Sequence, residues 1–382
     1  MAEAAPAALP STPRWIVSRR YDLAWFFGGA AASLAALALH FAAHVPIVVL
    51  FWIWILAFDG PHIGAAFTRT YVDREEWRSR RGVLLLSLLT FAVGPLFLLL
   101  NLATGSPDPF QLYLGLATFY GYYHVVRQHY GFLALYKARN QDRDRIDFQV
   151  DRAFLYVGCW APYFYFLLTH PRARVLLHLS PDGPAGILER IAVILCLGLW
   201  GAALLAFAVR LAPRFPERLR RPQTAYLLVT VLLHSLAYFF VARYEPVYAQ
   251  SSGPDQDFLL LSVVQTLFHN IQYLGLVWFH NRNRYGSPSD GDYGPARPIN
   301  RSIGRYLLAC LTFSGVVYLA FAASTGVFPV FHFGSNTRWG SVSFNQIGLC
   351  LWWGLAFNHY YLDQKIWRIR GDGQLQKNLG LA

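Results

Sequence analysis

The chain has 382 residues, of which 55% are hydrophobic and only 14% charged, where an ordinary soluble domain carries about 25% charged residues. That balance excludes a pair of soluble domains and points to a chain that lives in lipid. The formal net charge of +12 does not call for nucleic acid as a partner, because the basic residues sit in short stretches between apolar runs, where they act as topology signals and contacts for anionic lipid.

Residues 1–20 are rich in Ala and Pro and lack a charged start followed by a short apolar core, so no cleaved signal peptide is expected. Ten apolar runs follow: 21–40, 46–68, 83–103, 111–136, 152–170, 187–209, 224–242, 257–280, 303–325 and 343–364. Each is near the roughly 20 residues a helix needs to cross a bilayer. The expected fold is all-α, a polytopic transmembrane helical bundle of about ten spans. Its parts are a cytoplasmic N-terminal segment 1–20, a single transmembrane domain 21–367 and a cytoplasmic tail 368–382. The 12 Trp suit anchoring at two membrane interfaces. Cys159, Cys196, Cys310 and Cys350 all lie in apolar segments without metal-type spacing and read as small apolar residues.

Charge sets the orientation. With the N-terminus inside, 27 Lys and Arg fall on the inner side and 5 on the outer, alternating at every loop; Arg127 alone lies within a span. That asymmetry predicts both termini in the cytoplasm and a multi-pass protein of a bacterial inner membrane.

Ionisable residues within spans are costly and usually functional. Here they gather in the even-numbered spans, toward the C-terminal end of each. The second span ends in Asp59-Gly60-Pro61-His62. The fourth carries His124, Arg127, Gln128, His129 and Tyr130. The eighth carries His269, Asn270, Gln272 and Tyr273, then His280. The tenth carries Asn358, His359, Tyr360 and Asp363. All four spans run from outside to inside, so all four groups face the cytoplasmic half. At 1.5 Å of rise per residue, His62, His129 and His359 lie about 10 Å before the next basic residue, and His124 and His269 about 20 Å.

Residues three or four apart share a helix face. Asp59 with His62, His124 with Gln128, His269 with Gln272, and His359 with Asp363 are such pairs. Imidazole beside carboxylate or amide is what a borderline or hard metal accepts and what orientation of a ligating imidazole requires. The candidate ligands are His62, His124, His129, His269, His359, Asp59 and Asp363. Gln128, Asn270, Gln272, His280 and Asn358 are candidate supports. Arg127, Tyr130, Tyr273 and Tyr360 are candidates for substrate or proton and electron handling, and Arg127 needs an acceptor at depth: Asp59, Asp363, or a carboxylate or phosphate of the substrate. His129 is about 140° round the helix from His124, so both contribute only if the pocket wraps that helix. His40 and His44 lie at the outer end of the first span, His170, His178 and His332 in outer loops where solvation is expected, and His234 mid-span without a polar neighbour in sequence.

The positions of His62, His124, His129, His269 and His359 resemble, as a class, the integral-membrane non-haem iron oxygenases: fatty-acid desaturases and hydroxylases, and the bacterial beta-carotene dioxygenase (Brp/Blh) family. The desaturase set of one HxxxH and two HxxHH boxes is absent from the inner side, so no residue role is carried across. The class implies one or two iron ions, dioxygen, an electron donor and an apolar substrate such as a fatty acyl, isoprenoid or carotenoid chain taken from membrane lipid. Two other readings stay open: a redox protein with haem b between two histidines such as His124 and His269, and a transporter with Arg127, Asp59 and Asp363 as a relay. A structural scaffold would need no polar cluster.

Overall fold

A computed structural model describes residues 12–142, 144–177, 179–184, 186–243, 256–286, 291–325, 338–339 and 342–381; side chains at a few further positions within those ranges are not described. His178 and His332 lie outside the described residues. The protein is all-α. Every one of the ten apolar runs is helical: α1 Arg19–Phe41, α2 Ile47–Arg69, α3 Arg74–Thr104, α4 Asp108–Arg139, α5 Arg145–Thr169, α6 Ile187–Leu211, α7 Pro222–Arg243, α8 Gln256–Tyr285, α9 Ile303–Thr325 and α10 Phe344–Ile366. Short helices Pro171–Leu176, Ala296–Ile299 and Gly373–Asn378 join or follow them. The remaining pairing is an antiparallel ladder of two residues a side, Arg338–Trp339 with Val342–Ser343.

Six of the described helices, α1, α2, α3, α6, α7 and α8, are long and apolar enough to cross a membrane. They differ in how much of their apolar surface they hide. Only 6% of the apolar window of α6 is buried, against 83% for α8. Leu96, Leu99 and Leu102 on α3, and Ile194, Leu205 and Val209 on α6, are exposed. Continuous apolar stripes of that kind are not left open to water by soluble proteins; facing lipid tails, they cost nothing. A multi-pass membrane protein follows. Four free cysteines agree with the sequence reading, three of them buried.

The chain divides into two compact units, 1–51 with 125–269, and 52–124 with 270–382. The division falls inside two continuous helices, between His124 and Val125 on α4 and between His269 and Asn270 on α8.

In the first unit α5 packs on α6 and α7, with Phe154 and Phe207 stacked at 4.5 Å between centroids. Gly29 of α1 lets backbone meet backbone: a Cβ there would lie 2.8 Å from the Phe268 Cα and carbonyl oxygen of α8. The loop ends of α4, α5 and α6 are tied by charge. Lys137 donates to Asp142 and Asp151 at 2.8 and 2.6 Å. Arg210 and Arg214 donate to Asp147 at 2.7 and 2.5 Å, and Arg218 to Asp151 at 2.7 Å. Asp144 caps α5 by accepting from the Asp147 amide.

In the second unit α2 packs on α9, and α3 on α10. α3 is capped by Asp73, which accepts from the Glu75 and Glu76 amides. α10 starts with a reciprocal cap between Ser343 and Gln346. α2 is not regular. Pro61 has no N–H to give the carbonyl four residues back, and the helix answers by widening into a π turn over Ile55–Asp59 before resuming at Gly60–Arg69. A carbonyl loosened by that widening, Leu56, accepts from the Ser314 hydroxyl of α9 at 2.8 Å. This approach is possible because residue 60 is glycine: a Cβ there would stand 2.1 Å from Ser314 Oγ and 2.7 Å from its Cβ.

Burial alone would raise the pKa of Asp147, but the hydrogen bond from Arg210 and the charges of Arg218 and Arg214 outweigh it, and its carboxyl titrates below the ordinary value. The ion pairs therefore stabilise the fold fully above the unfolded carboxylate pKa of about 3.9 and are lost as pH falls through the lower folded value. Asp147→Asn should destabilise the detergent-solubilised protein by about 1–3 kcal/mol at pH 7, read as a lower midpoint of thermal unfolding. The gap to wild type should close as pH drops below about 4. A gap that stays constant across that range would mean that the carboxylate charge is not what holds these helix ends.

Candidate metal centre

The irregularity in α2 sets the first ligand. The widened turn ends at Asp59 and leaves its backbone carbonyl 2.6 Å from His62 Nδ1, while the Asp59 carboxylate lies 3.7 Å from the same nitrogen. Nδ1–H donating to that carbonyl fixes the tautomer, so Nε2 carries the lone pair. His62 Nε2 is 3.1 Å from His359 Nε2 of α10. His359 is fully buried, and its ring centroid is 4.9 Å from that of His124 on α4. The fourth histidine is His269 of α8. His62, His124, His269 and His359 are all buried, and one nitrogen from each lies within 4.8 Å of the other three.

The His62–His359 separation is that of two ligands on one ion. Metal–imidazole bonds are about 2.0–2.1 Å, so two ligands at right angles or tetrahedral angles place their nitrogens about 2.9–3.4 Å apart and their ring centroids about 4.5–5.2 Å apart. The His62–His359 pair shows 3.1 Å and 4.5 Å. Two ligands on opposite sides of a metal would stand about 4.1 Å apart.

A carboxylate borders the histidines. Asp363 Oδ2 is 3.6 Å from His359 Nε2 and 3.8 Å from His124 Nε2, and its Oδ1 accepts from the Tyr273 hydroxyl at 2.6 Å. Tyr273 stands edge-on to both His62 and His359. Tyr360 stacks on His124 with centroids 4.2 Å apart. Asp59 lies on the far side of His62 from the other imidazoles' nitrogens; its carboxylate accepts from Tyr318 at 3.2 Å and is 3.5 Å from Asn270 Nδ2. Asp59 thus holds His62 in place, whereas Asp363 is the carboxylate within reach of the ligand atoms. Gln128 donates to the His269 carbonyl at 2.8 Å and so holds the backbone that carries that ligand.

Other residues singled out in the sequence are placed elsewhere. His129 is not one of the four; its Nδ1 is 2.8 Å from the Tyr226 hydroxyl of α7, and its ring packs on His234. Arg127 is exposed and donates to the Tyr156 hydroxyl of α5 at 2.8 Å, so its acceptor is a phenol and not Asp59 or Asp363. Tyr130 packs beside Arg127, Arg152 and Tyr156. Asn358 donates to Tyr71 and to the Ser87 carbonyl, which makes it a tie between helices. His280 bonds Asn281 and Asn378 and rests its ring on Trp367, bringing the C-terminal helix Gly373–Asn378 against α8. Gln272 is fully buried. His170, expected to be solvated, is buried, with its ring on Phe166 and its Nδ1 facing the Ala173 amide at 3.4 Å. His40 bonds the Val45 carbonyl. Tyr318 was not foreseen: it lies on an odd-numbered span, where Ser314 one turn earlier is its polar neighbour in phase and no ionisable residue marks the face.

The chain matches no protein-family model, no curated protein and no solved structure significantly.

The close approach at Gly60 makes the site sensitive to one methyl group. Gly60→Ala should lower the thermal midpoint by several degrees and weaken metal retention, because Ser314 must be displaced and the turn that aims His62 with it. Gly82→Ala, where nothing lies within 4 Å of the new Cβ, should be neutral or stabilising by up to about 1 kcal/mol. Equal effects from the two substitutions would show that the π turn does not depend on the Gly60–Ser314 contact.

Proposed function

We propose that this protein is a membrane-embedded metalloenzyme in which His62, His124, His269 and His359 hold one iron ion, and that it is an oxidoreductase of the oxygenase class acting on a lipid-soluble substrate. The observation that carries the reading is the convergence of four buried imidazole nitrogens within 4.8 Å. Four imidazoles, with Asp363 beside two of them, form a nitrogen-rich donor set with a carboxylate at hand, which suits iron among the borderline metals. Bound there, iron would supply redox chemistry with dioxygen. An electron donor is required for that class of reaction.

The chain's own residues define the rest. Asp59 and Gln128 orient ligands. The Tyr273 phenol and the Asp363 carboxylate, 2.6 Å apart, share a proton at the edge of the histidine group and are the pair from which a proton would be given or taken. The stacked Tyr360 ring closes one face of His124 against water. Exposed apolar helix faces favour a substrate that arrives from the bilayer, such as a fatty acyl, isoprenoid or carotenoid chain. This reading keeps the likeness to the histidine-rich membrane oxygenases as one of class.

Haem b between His62 and His359 fits less well, which leaves His124 and His269 as the pair for a haem reading. The 3.1 Å between His62 Nε2 and His359 Nε2 is about 1 Å less than two ligands across a haem iron require. A transporter relay through Arg127 loses its main member to Tyr156.

In this proposal the membrane is a bacterial inner membrane, about ten helices span it, both termini are cytoplasmic and the centre faces the cytoplasmic half. Reporter fusions after residues 75, 145, 218, 292 and 375 should report the cytoplasm, and fusions near 105, 180, 250 and 335 the outside. A reversed sign at any inner loop would break that arrangement.

Metal content and optical spectrum of the detergent-purified protein test the centre. Iron without a Soret band is expected. His269→Ala and His359→Ala should lose the iron and remain folded, since losing one interhelical hydrogen bond costs only about 0.6 kcal/mol on average. His40→Ala, on a histidine that bonds a loop carbonyl, should keep it. Equal iron in all three variants would remove these histidines from the centre, and a Soret band would replace the reading with a haem protein.

A further inference from the structure

His129 and His234 form a second histidine pair, distinct from the four-histidine group. Both are fully buried in the first unit. His129 is on α4, five residues after His124; His234 is on α7, in the turn before that helix widens at Leu236–Phe240. Five residues advance a helix by about 7.5 Å and turn it by about 140°, so α4 presents His124 and His129 in different directions.

The ring centroids of His129 and His234 are 5.4 Å apart, with the planes at 87°. An ion bonded to an imidazole nitrogen at about 2.0–2.1 Å lies about 3.2 Å from the ring centroid. A centroid separation of 5.4 Å then corresponds to an angle of about 115° at the ion, inside the range for tetrahedral and trigonal sites. The other ring nitrogen of His129 is already committed: Nδ1 faces the Tyr226 hydroxyl at 2.8 Å. With Nδ1–H donating there, Nε2 is the nitrogen with a lone pair, and among the described residues it has no hydrogen-bond partner. This is the arrangement of a ligating histidine steadied by a polar group behind it.

A third polar side chain lies on the same helix face as the ring that packs on His129. Phe268 of α8 packs on both His129 and Tyr226, with centroids 4.9 and 6.0 Å away. Gln265 is three residues earlier, one turn along the same face. It is 3% exposed, and both its carboxamide atoms lack a hydrogen-bond partner among the described residues. Buried polar atoms are rarely left so. An imidazole nitrogen and a carboxamide without partners, on facing apolar helices, are what a bound cation would account for.

We infer that His129 and His234 bind a second late-transition-metal ion, of the zinc, copper or nickel type that accepts neutral imidazole, with the Gln265 carboxamide oxygen or a water as a further ligand. The site stands independently of the four-histidine proposal, since the two share no ligand.

Cobalt(II) is the probe, because its visible absorption reports a tetrahedral nitrogen environment. Metal-stripped, untagged protein in detergent is titrated and bound cobalt counted per chain. Wild type should take up two ions. His129→Gln and His234→Gln should each take up one fewer, and His359→Ala should lose the other ion while keeping the one that His234→Gln loses. Equal uptake by wild type and the two Gln variants, or uptake by wild type of a single ion that His359→Ala loses, overturns the second site. If His359→Ala binds as much as wild type while His234→Gln binds one fewer, the second site stands and the four-histidine reading fails. A wild-type count of two supports the second site even where a variant does not fold, and a count of none overturns it.

Discussion

An imidazole or carboxylate buried among apolar helices loses its water and must meet another polar atom, and the arrangement of the second unit follows from that demand. Leaving such a group alone costs several kcal/mol. In this protein the demand is met by linking the groups to one another. Tyr318 and Asn270 face the Asp59 carboxylate, Asp59 holds His62, His62 meets His359, and Asp363 lies beside His359 and His124 while Tyr273 donates to it. Residues from α2, α4, α8, α9 and α10 enter this one chain of contacts. Each partner is also a positional restraint, so satisfying the polar atoms and aiming the imidazoles are the same act.

Local geometry makes the chain possible. Pro61 has no N–H for the helix ladder, and the helix widens over Ile55–Asp59 just before His62, whose Nδ1 lies 2.6 Å from the Asp59 carbonyl. Gly60 then admits Ser314 to the loosened Leu56 carbonyl. The Gly-Pro pair in the middle of an apolar span is therefore part of the centre, though neither residue carries a ligand. The first unit solves a different problem: its loop ends carry an excess of cations, and Asp147 and Asp151 draw four basic neighbours, Lys137, Arg210, Arg214 and Arg218, into one network.

The 140° between His124 and His129 left the sequence with two possible outcomes, a pocket wrapping α4 or two separate destinations. The structure takes the second, with Tyr360 stacked on His124 and Tyr226 bonded to His129. One helix thus serves two polar clusters on different faces. The aromatic side chains that flank them shield the imidazoles from lipid and leave few orientations open to each ring.

Composition and period were enough to read the fold class and all ten helices, because a bilayer demands long apolar runs and tolerates no other irregular backbone within them. The same reasoning singled out the four histidines that the structure brings together, since His62, His124, His269 and His359 each stand out as an expensive residue within an apolar segment. Phase arguments within one helix also held where both residues were local: Asp59 reaches His62 and Asp363 lies beside His359. Depth counted from the nearest basic residue separated His62 from His124 by about 10 Å yet allowed one recessed site to include both; α4 runs on to Arg139 and α8 to Tyr285, so the first basic residue is not a common ruler. Nor could one sequence say which face of each helix meets which neighbour. That choice sent Arg127 to Tyr156, His129 to Tyr226, Asn358 to Tyr71 and Tyr318 to Asp59. Periodicity is a property of a single helix, whereas partnership depends on rotation and stagger between helices, and those are decided by packing.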